Sequence, residues 1–238
     1  MARKETNAKR ARVPRDVASV SRSLRQFLDT PAVERTDDKI GNSTCGVYAF
    51  YDYDGEPIYV GQTFEKLRSR IGRHLTNQRT DAVAMNVLDP FEVAEVEVWP
   101  LWQFQASGGS SKKAKDFLDA AEFTVLQQVL DKSAFNAVLN EGDIEPVDTV
   151  SLPQSYRARI VPDELHSRRS HPDIRIARRA STIANLARVI SERNVSKGLR
   201  RTLLTQARRL QRLAEDRYEQ VVAEDSNAGG DSRPPRST

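Results

Sequence analysis

Gly46-Val47-Tyr48-Ala49-Phe50-Tyr51-Asp52-Tyr53 and Glu56-Pro57-Ile58-Tyr59-Val60-Gly61, joined by Asp54-Gly55, form the stretch whose reading decides the fold. The first run is rich in aromatic and branched residues, which suit a pleated, half-buried surface. Asp-Gly tolerates the positive φ of a tight turn, so the second run reads as the returning strand of a β-hairpin.

Working outward, Thr63 can cap a helix on which Leu67, Ile71, His74, Leu75 and Gln78 share one side. Phe91 to Val98 alternates, with Ala94, Val96 and Val98 on one face and Glu95 and Glu97 on the other, as a third strand would. Ser107 to Ser111 is a flexible connection, and a helix follows from about Lys112 to Leu130. Residues 45–140 are therefore predicted to form one α/β domain, a small three-stranded, largely antiparallel sheet flanked by helices. Upstream, residues 1–16 read as a disordered basic arm, and 17–44 as a short helix (Val17, Val20, Leu24, Leu28) and a linker broken at Thr30-Pro31. Downstream, 141–172 reads as a linker punctuated by Pro153 and Pro162, and 173–222 as an arginine-rich helical hairpin. Leu199, Leu203, Leu210 and Leu213 form a stripe on its second helix, and 223–238 reads as a disordered tail.

Bulk properties bound the function. The 238 residues are 38% hydrophobic, with room for one catalytic domain and smaller appendages. No apolar run approaches the roughly 20 residues of a membrane span, and the basic N-terminus lacks the apolar core of a secretory signal. Cys45 is the single cysteine, which excludes an internal disulfide and a cysteine-based zinc cluster; a cytoplasmic setting is expected. The net charge of +4 hides segregation: Arg157 to Arg217 holds sixteen Lys/Arg against six Asp/Glu, while Asp81 to Pro100 holds five acids and no base. Such a field attracts a polyanion, and a solvated helical surface explains it equally well.

Three polar features sit where packing alone calls for hydrocarbon. Glu122 falls on the stripe of Leu118, Val125, Leu126 and Val129, where a carboxylate must pair, neutralise or bind a metal. His74 lies inside the Leu67–Ile71–Gln78 stripe with Arg70 one turn earlier. The third is the tyrosine-rich hairpin itself. Taken singly, each has an ordinary structural explanation: a salt bridge for Glu122, a satisfied core histidine for His74, sheet tyrosines for Tyr48 and Tyr59.

Together, Tyr48, Tyr59, Arg70, His74 and Glu122 resemble the GIY-YIG nuclease family. Its two tripeptide elements are matched by Gly46-Val47-Tyr48 and Tyr59-Val60-Gly61, with ten residues between the tyrosines. The resemblance covers about Cys45 to Asn140. It implies a metal-dependent DNA endonuclease in which Glu122 holds one divalent ion, Mg²⁺ or Mn²⁺, and Arg70 donates to the phosphate. By the same resemblance, Tyr48 orients or deprotonates the attacking water, and Tyr59 and His74 complete the network. A supporting asparagine is best matched by Asn136, with Asn140 as competitor. Arg68 and Arg73 are expected to face solvent or backbone phosphate.

The implied role is that of a stand-alone nuclease, restriction-like or associated with a mobile element. A DNA-binding module with a decayed site, or a repair or RNA-processing nuclease, is the alternative. Targeting falls to the C-terminal helices, where Arg175, Arg178, Arg179, Arg200, Arg201, Arg208 and Arg209 are candidate phosphate contacts. A homodimer through the leucine stripe, with solvated arginines, is the equal rival.

Overall fold

The structure is a computed structural model that describes residues 15–33, 35–75, 88–106, 111–140, 142 and 144–228. The predicted hairpin is its centre: β3 (Gly46–Tyr51) pairs antiparallel with β4 (Pro57–Thr63), Tyr48 lying opposite Gly61 and Phe50 opposite Tyr59. Gly55, at φ 76°, closes the turn, and Asp52 Oδ1 accepts from the amides of Asp54 (2.9 Å) and Glu56 (3.1 Å). On its other side β3 pairs with β5 (Glu95–Pro100), which is entered through a 3₁₀ turn at Pro90–Glu92. The third strand thus starts later than its alternation suggested, because Pro90 and the Asp89 cap favour a turn first.

The sheet has four strands, not three. β6 (Tyr156–Arg159), inside the stretch read as a linker, pairs antiparallel with β5 and completes the order β4-β3-β5-β6. Arg157 explains why so polar a segment stays: its Nε donates to Glu95 at 2.6 Å and its guanidinium lies 3.7 Å from the Tyr51 ring centroid. The N-terminal linker also holds a small two-stranded sheet, β1 (Pro31–Ala32) with β2 (Arg35–Lys39).

Six α-helices cover the sheets among the described residues. α3 (Lys112–Leu130) lies on one face, where Leu118, Ala121, Val125 and Val129 meet Val47, Ala49 and Val60. The opposite face is covered by α1 (Arg15–Leu28), α2 (Leu67–Leu75), α5 (Pro172–Glu192) and α6 (Lys197–Ala228), which share one core with Tyr48, Phe50, Val96 and Val98. A short helix, α4 (Asp163–Arg169), precedes α5. α6 continues through the first residues of the stretch read as a disordered tail. Gln78, residues 1–14, 107–110 and 229–238, on which earlier expectations rested, lie outside the described residues.

The leucine stripe packs within the chain. Leu199 and Leu213 are buried and Leu203 packs against the sheet-side core, so that stripe is not open to a second copy. Likewise, the arginines of α5 are fastened to the hairpin. Arg175 grips Asp54 through two bonds of 2.8 and 2.7 Å. Arg179 donates to Asp52 (2.7 Å) and Glu92 (3.1 Å), and Arg178 forks onto Asp89 at 3.0 and 2.9 Å. Asp52, Glu92, Arg175 and Arg179 are all buried. Burial pushes the Glu92 carboxyl upward, opposed by the two guanidinium groups beside it.

Removing one partner from such a network leaves the other charges buried and uncompensated. Arg179→Ala is expected to lower unfolding free energy by about 3–5 kcal/mol, measured by equilibrium urea denaturation, while exposed Arg208→Ala stays within about 0.5 kcal/mol. Equal, small effects at both positions would show that the network contributes little.

Candidate active site

Strand pairing sets two tyrosines side by side. Tyr48 and Tyr59 stack with ring centroids 6.1 Å apart and planes 28° from parallel. Gly61 makes this possible: a Cβ there would lie 2.7 Å from both Tyr48 Oη and Tyr59 Cε1. The glycine of the second tripeptide is thus a space requirement of the tyrosine pair.

α2 supplies the next layer. Arg70 and His74, four residues apart, fall on the side facing Tyr48. Arg70 Nε donates to Tyr48 Oη at 3.2 Å, and the same oxygen lies 2.9 Å from His74 Nε2. Arginine has no acceptor, so Tyr48 accepts from Arg70; between Tyr48 and His74 the tautomer of the imidazole sets which of the two donates. Burial pushes the Tyr48 hydroxyl well above its usual pKa, reinforced by Tyr59 and opposed by Arg70. Tyr48, Tyr59, Arg70 and His74 are therefore brought together, the histidine ring 5.2 Å from that of Tyr59.

Glu122 approaches from α3. It is half-buried, at the margin of the apolar stripe and not within it. Burial first, then the neighbouring Asp119 carboxylate, push its carboxyl up to about 7, while a hydrogen bond from Gln62 and the charge of Arg70 pull the other way. Gln62 also donates to Asp119 at 2.7 Å. Gln62, Arg70, Lys115 and Asp119 line a groove of about 450 Å³ between the end of β4, α2 and α3. Gln62 and Asp119 were not among the residues singled out from the sequence. Asp119 was findable, since it lies one helical turn before Glu122; Gln62 was not, because only strand pairing turns it toward α3.

Of the two candidate asparagines, Asn140 is the one that bonds the sheet. Asn140 is buried and clamps the β4 backbone, accepting from Val60 N at 3.1 Å and donating to Val60 O at 2.7 Å. Asn136 is exposed and serves the chain by adopting φ 46°, a left-handed turn conformation that asparagine tolerates.

Most of the arginines nominated for phosphate contact are otherwise engaged. Arg68 bonds Asp29 (3.0 Å) and the Leu28 carbonyl (3.3 Å), tying α2 to the end of α1. Arg73 pairs with Glu65. Arg175, Arg178 and Arg179 hold the carboxylates described above. Arg209 is buried and donates to the carbonyls of Pro57 (2.7 Å) and Ala137 (2.9 Å). Each is held by an acceptor or carboxylate that appears only in the folded chain. Arg200, Arg201 and Arg208 stand at the surface of α6.

A strand pair presenting stacked phenols to a helical arginine–histidine pair, with a carboxylate helix beyond, has the make-up of a small nuclease domain. Residues 44–107 match the family model described as the GIY-YIG catalytic domain, which bears out the resemblance drawn from the hairpin. The match contains Tyr48, Tyr59, Arg70 and His74 and stops short of Glu122 and Asn140. It assigns this segment to the nucleases in general. No curated protein and no solved structure matches the chain. No helix among the described residues is long and apolar enough to cross a membrane.

Two outcomes follow for folding. Asn140→Ala strands both polar groups of Val60 and is expected to cost about 1–3 kcal/mol, read by thermal or urea denaturation, whereas Asn136→Gly keeps the left-handed turn and is expected to be neutral or nearly so. Because Glu122 ionises near 7 when folded, against an ordinary 4.5, its ionised form penalises the fold: stability is fully present below about 4.5 and lost as pH rises through about 7. In chelator, Glu122→Gln should melt a few degrees above the parent at pH 8 and converge with it near pH 4.5; a variant that is less stable at pH 8 would contradict this.

Proposed function

We propose that the protein is a metal-dependent DNA endonuclease that hydrolyses phosphodiester bonds. The observation that carries this reading is the chain Arg70–Tyr48–His74, whose arginine lines a groove together with Gln62 and Asp119, the two neighbours of Glu122. A phenol is a poor base at neutral pH, and burial makes Tyr48 poorer still. Its hydrogen bond to His74 offers a way out. Tyr48 takes a proton from the attacking water as it passes its own to His74 Nε2, in the tautomer whose Nε2 is the acceptor. Arg70 stabilises the phenol oxygen while this happens, and its remaining N–H groups are free in geometry to fork onto a phosphate. Tyr59 holds the Tyr48 ring in place by stacking.

Glu122, with Asp119 and the Gln62 amide, supplies the hard oxygen donors that Mg²⁺ or Mn²⁺ takes, and the residues present fit such an ion. Mg²⁺ keeps several waters and is commonly held by one or two carboxylates, the number that Glu122 and Asp119 provide. When bound, the ion supplies charge stabilisation at the phosphate and the leaving oxygen. Asn140 fixes the strand that carries Tyr59 and Gln62, and takes no part in the chemistry. The integrity of Tyr48, Arg70, His74 and Glu122 together favours a working site over a decayed one. A stand-alone role, restriction-like or tied to a mobile element, is the biological setting we favour.

Supercoiled plasmid incubated with protein and Mg²⁺ should be nicked or linearised, and excess chelator should stop it. Tyr48→Phe and Glu122→Gln are expected to lower the cleavage rate by ~10²–10⁴-fold while duplex binding persists. Full activity in chelator removes the ion from the mechanism, and full activity of either variant removes that residue. Cleavage of RNA in place of DNA would move the substrate assignment.

A further inference from the structure

Arg70 is not the one cation of the groove at the end of β4: Lys115 lines it as well. α3 carries Lys112, Lys115, Asp119 and Glu122 at successive spacings of three, four and three residues, which places all four on one helical face. The two carboxylates belong to the site already described. The two lysines lie one and two turns nearer the helix start, and both are exposed. Lys115 lines the same groove as Arg70, which reaches it from α2 on the opposite wall. Neither lysine forms an ion pair with another described residue, whereas Glu65, which also lines the groove, is paired with Arg73. Asp119, the acid nearest Lys115 on the helix face, is hydrogen-bonded by Gln62.

Lys115 precedes Glu122 by seven residues, roughly 10 Å along the helix axis. The lysines therefore stand on the same helical face as the two carboxylates, and ammonium groups on flexible stems suit a backbone contact that carries no base specificity.

We propose that Lys112 and Lys115 form the phosphate track of this groove, gripping the DNA strand on the wall opposite Arg70. The proposal rests on the nuclease reading above. It is tested on the full chain in chelator, with a fluorescent duplex DNA titrated at a series of salt concentrations and anisotropy as the readout. The K112A/K115A double variant should reduce the slope of log K against log salt by roughly two, at about 0.9 per phosphate contact, and raise Kd by ~10-fold or more. Lys115→Arg should retain the parental slope, because the charge is kept. Arg212→Ala, an exposed position on α6 whose cation is paired with Asp216, should bind as the parent does. Parental slope and affinity in K112A/K115A would overturn the track and leave the nuclease reading standing. So would a loss confined to the α6 variant. Failure of the parent protein to bind duplex at all would overturn both.

Discussion

The carboxylate of Asp52 fastens together parts of the chain that are far apart in sequence. One oxygen shapes the hairpin turn by accepting from Asp54 and Glu56, and the other receives Arg179 from α5. A buried carboxylate is tolerable only when its lone pairs are filled, and here backbone and guanidinium fill them together. The turn that orients β3 against β4 is thereby locked to the helices that cover the sheet. Tyr48 owes its fully buried position to both: β3 supplies the side chain, and α2, α5 and α6 close the face on which it lies.

The site itself draws on both faces of the sheet. Tyr48, Tyr59 and His74 lie with the core beneath α2, while Gln62, Asp119 and Glu122 meet above it beside α3. Arg70 joins the two halves, bonded to Tyr48 on one side and felt electrostatically by Glu122 on the other. The end of β4 is the place where such a junction is possible, because Gly61 leaves room for the phenols and the next residue, Gln62, points the opposite way. Asn140 then holds this strand from its outer edge, by pairing with Val60 as a neighbouring strand would.

The parts legible in the sequence are those written in local pattern. Alternation and Asp54-Gly55 specify the hairpin, and apolar spacing specifies α3, whose ends fall at Lys112 and Leu130 as read. Tyr48, Tyr59, Arg70 and His74 were legible because their spacing is local to one hairpin and the helix that follows it. What was not legible depends on contacts between distant segments. β6 has only four residues between two prolines, and its arginines make sense only opposite Glu95 and Glu97. Asn140 and Asn136 are equivalent as letters, and a clamp reaching across 80 residues distinguishes them. Charge density on α5 was plain in the sequence, yet its meaning reversed once Asp52, Asp54, Asp89 and Glu92 were found facing it. An arginine-rich helix and an acid-rich stretch upstream were two halves of one interface.

That interface also sets an order of events during synthesis. Arg179 leaves the ribosome 127 residues after Asp52, a delay on the order of 6–25 s at ~5–20 residues per second. Through that interval the hairpin has its pattern and its turn but no cation to accept Asp52 into the interior, and β5 still lacks β6 along its outer edge. The carboxylates must stay hydrated, so the face that buries Tyr48 cannot close. Contacts of such long sequence separation slow folding, and here they place the covering of the Tyr48 face late. The hairpin and α2 are thus complete in sequence long before α5 can cover them, so the burial of Tyr48 depends on the last third of the chain.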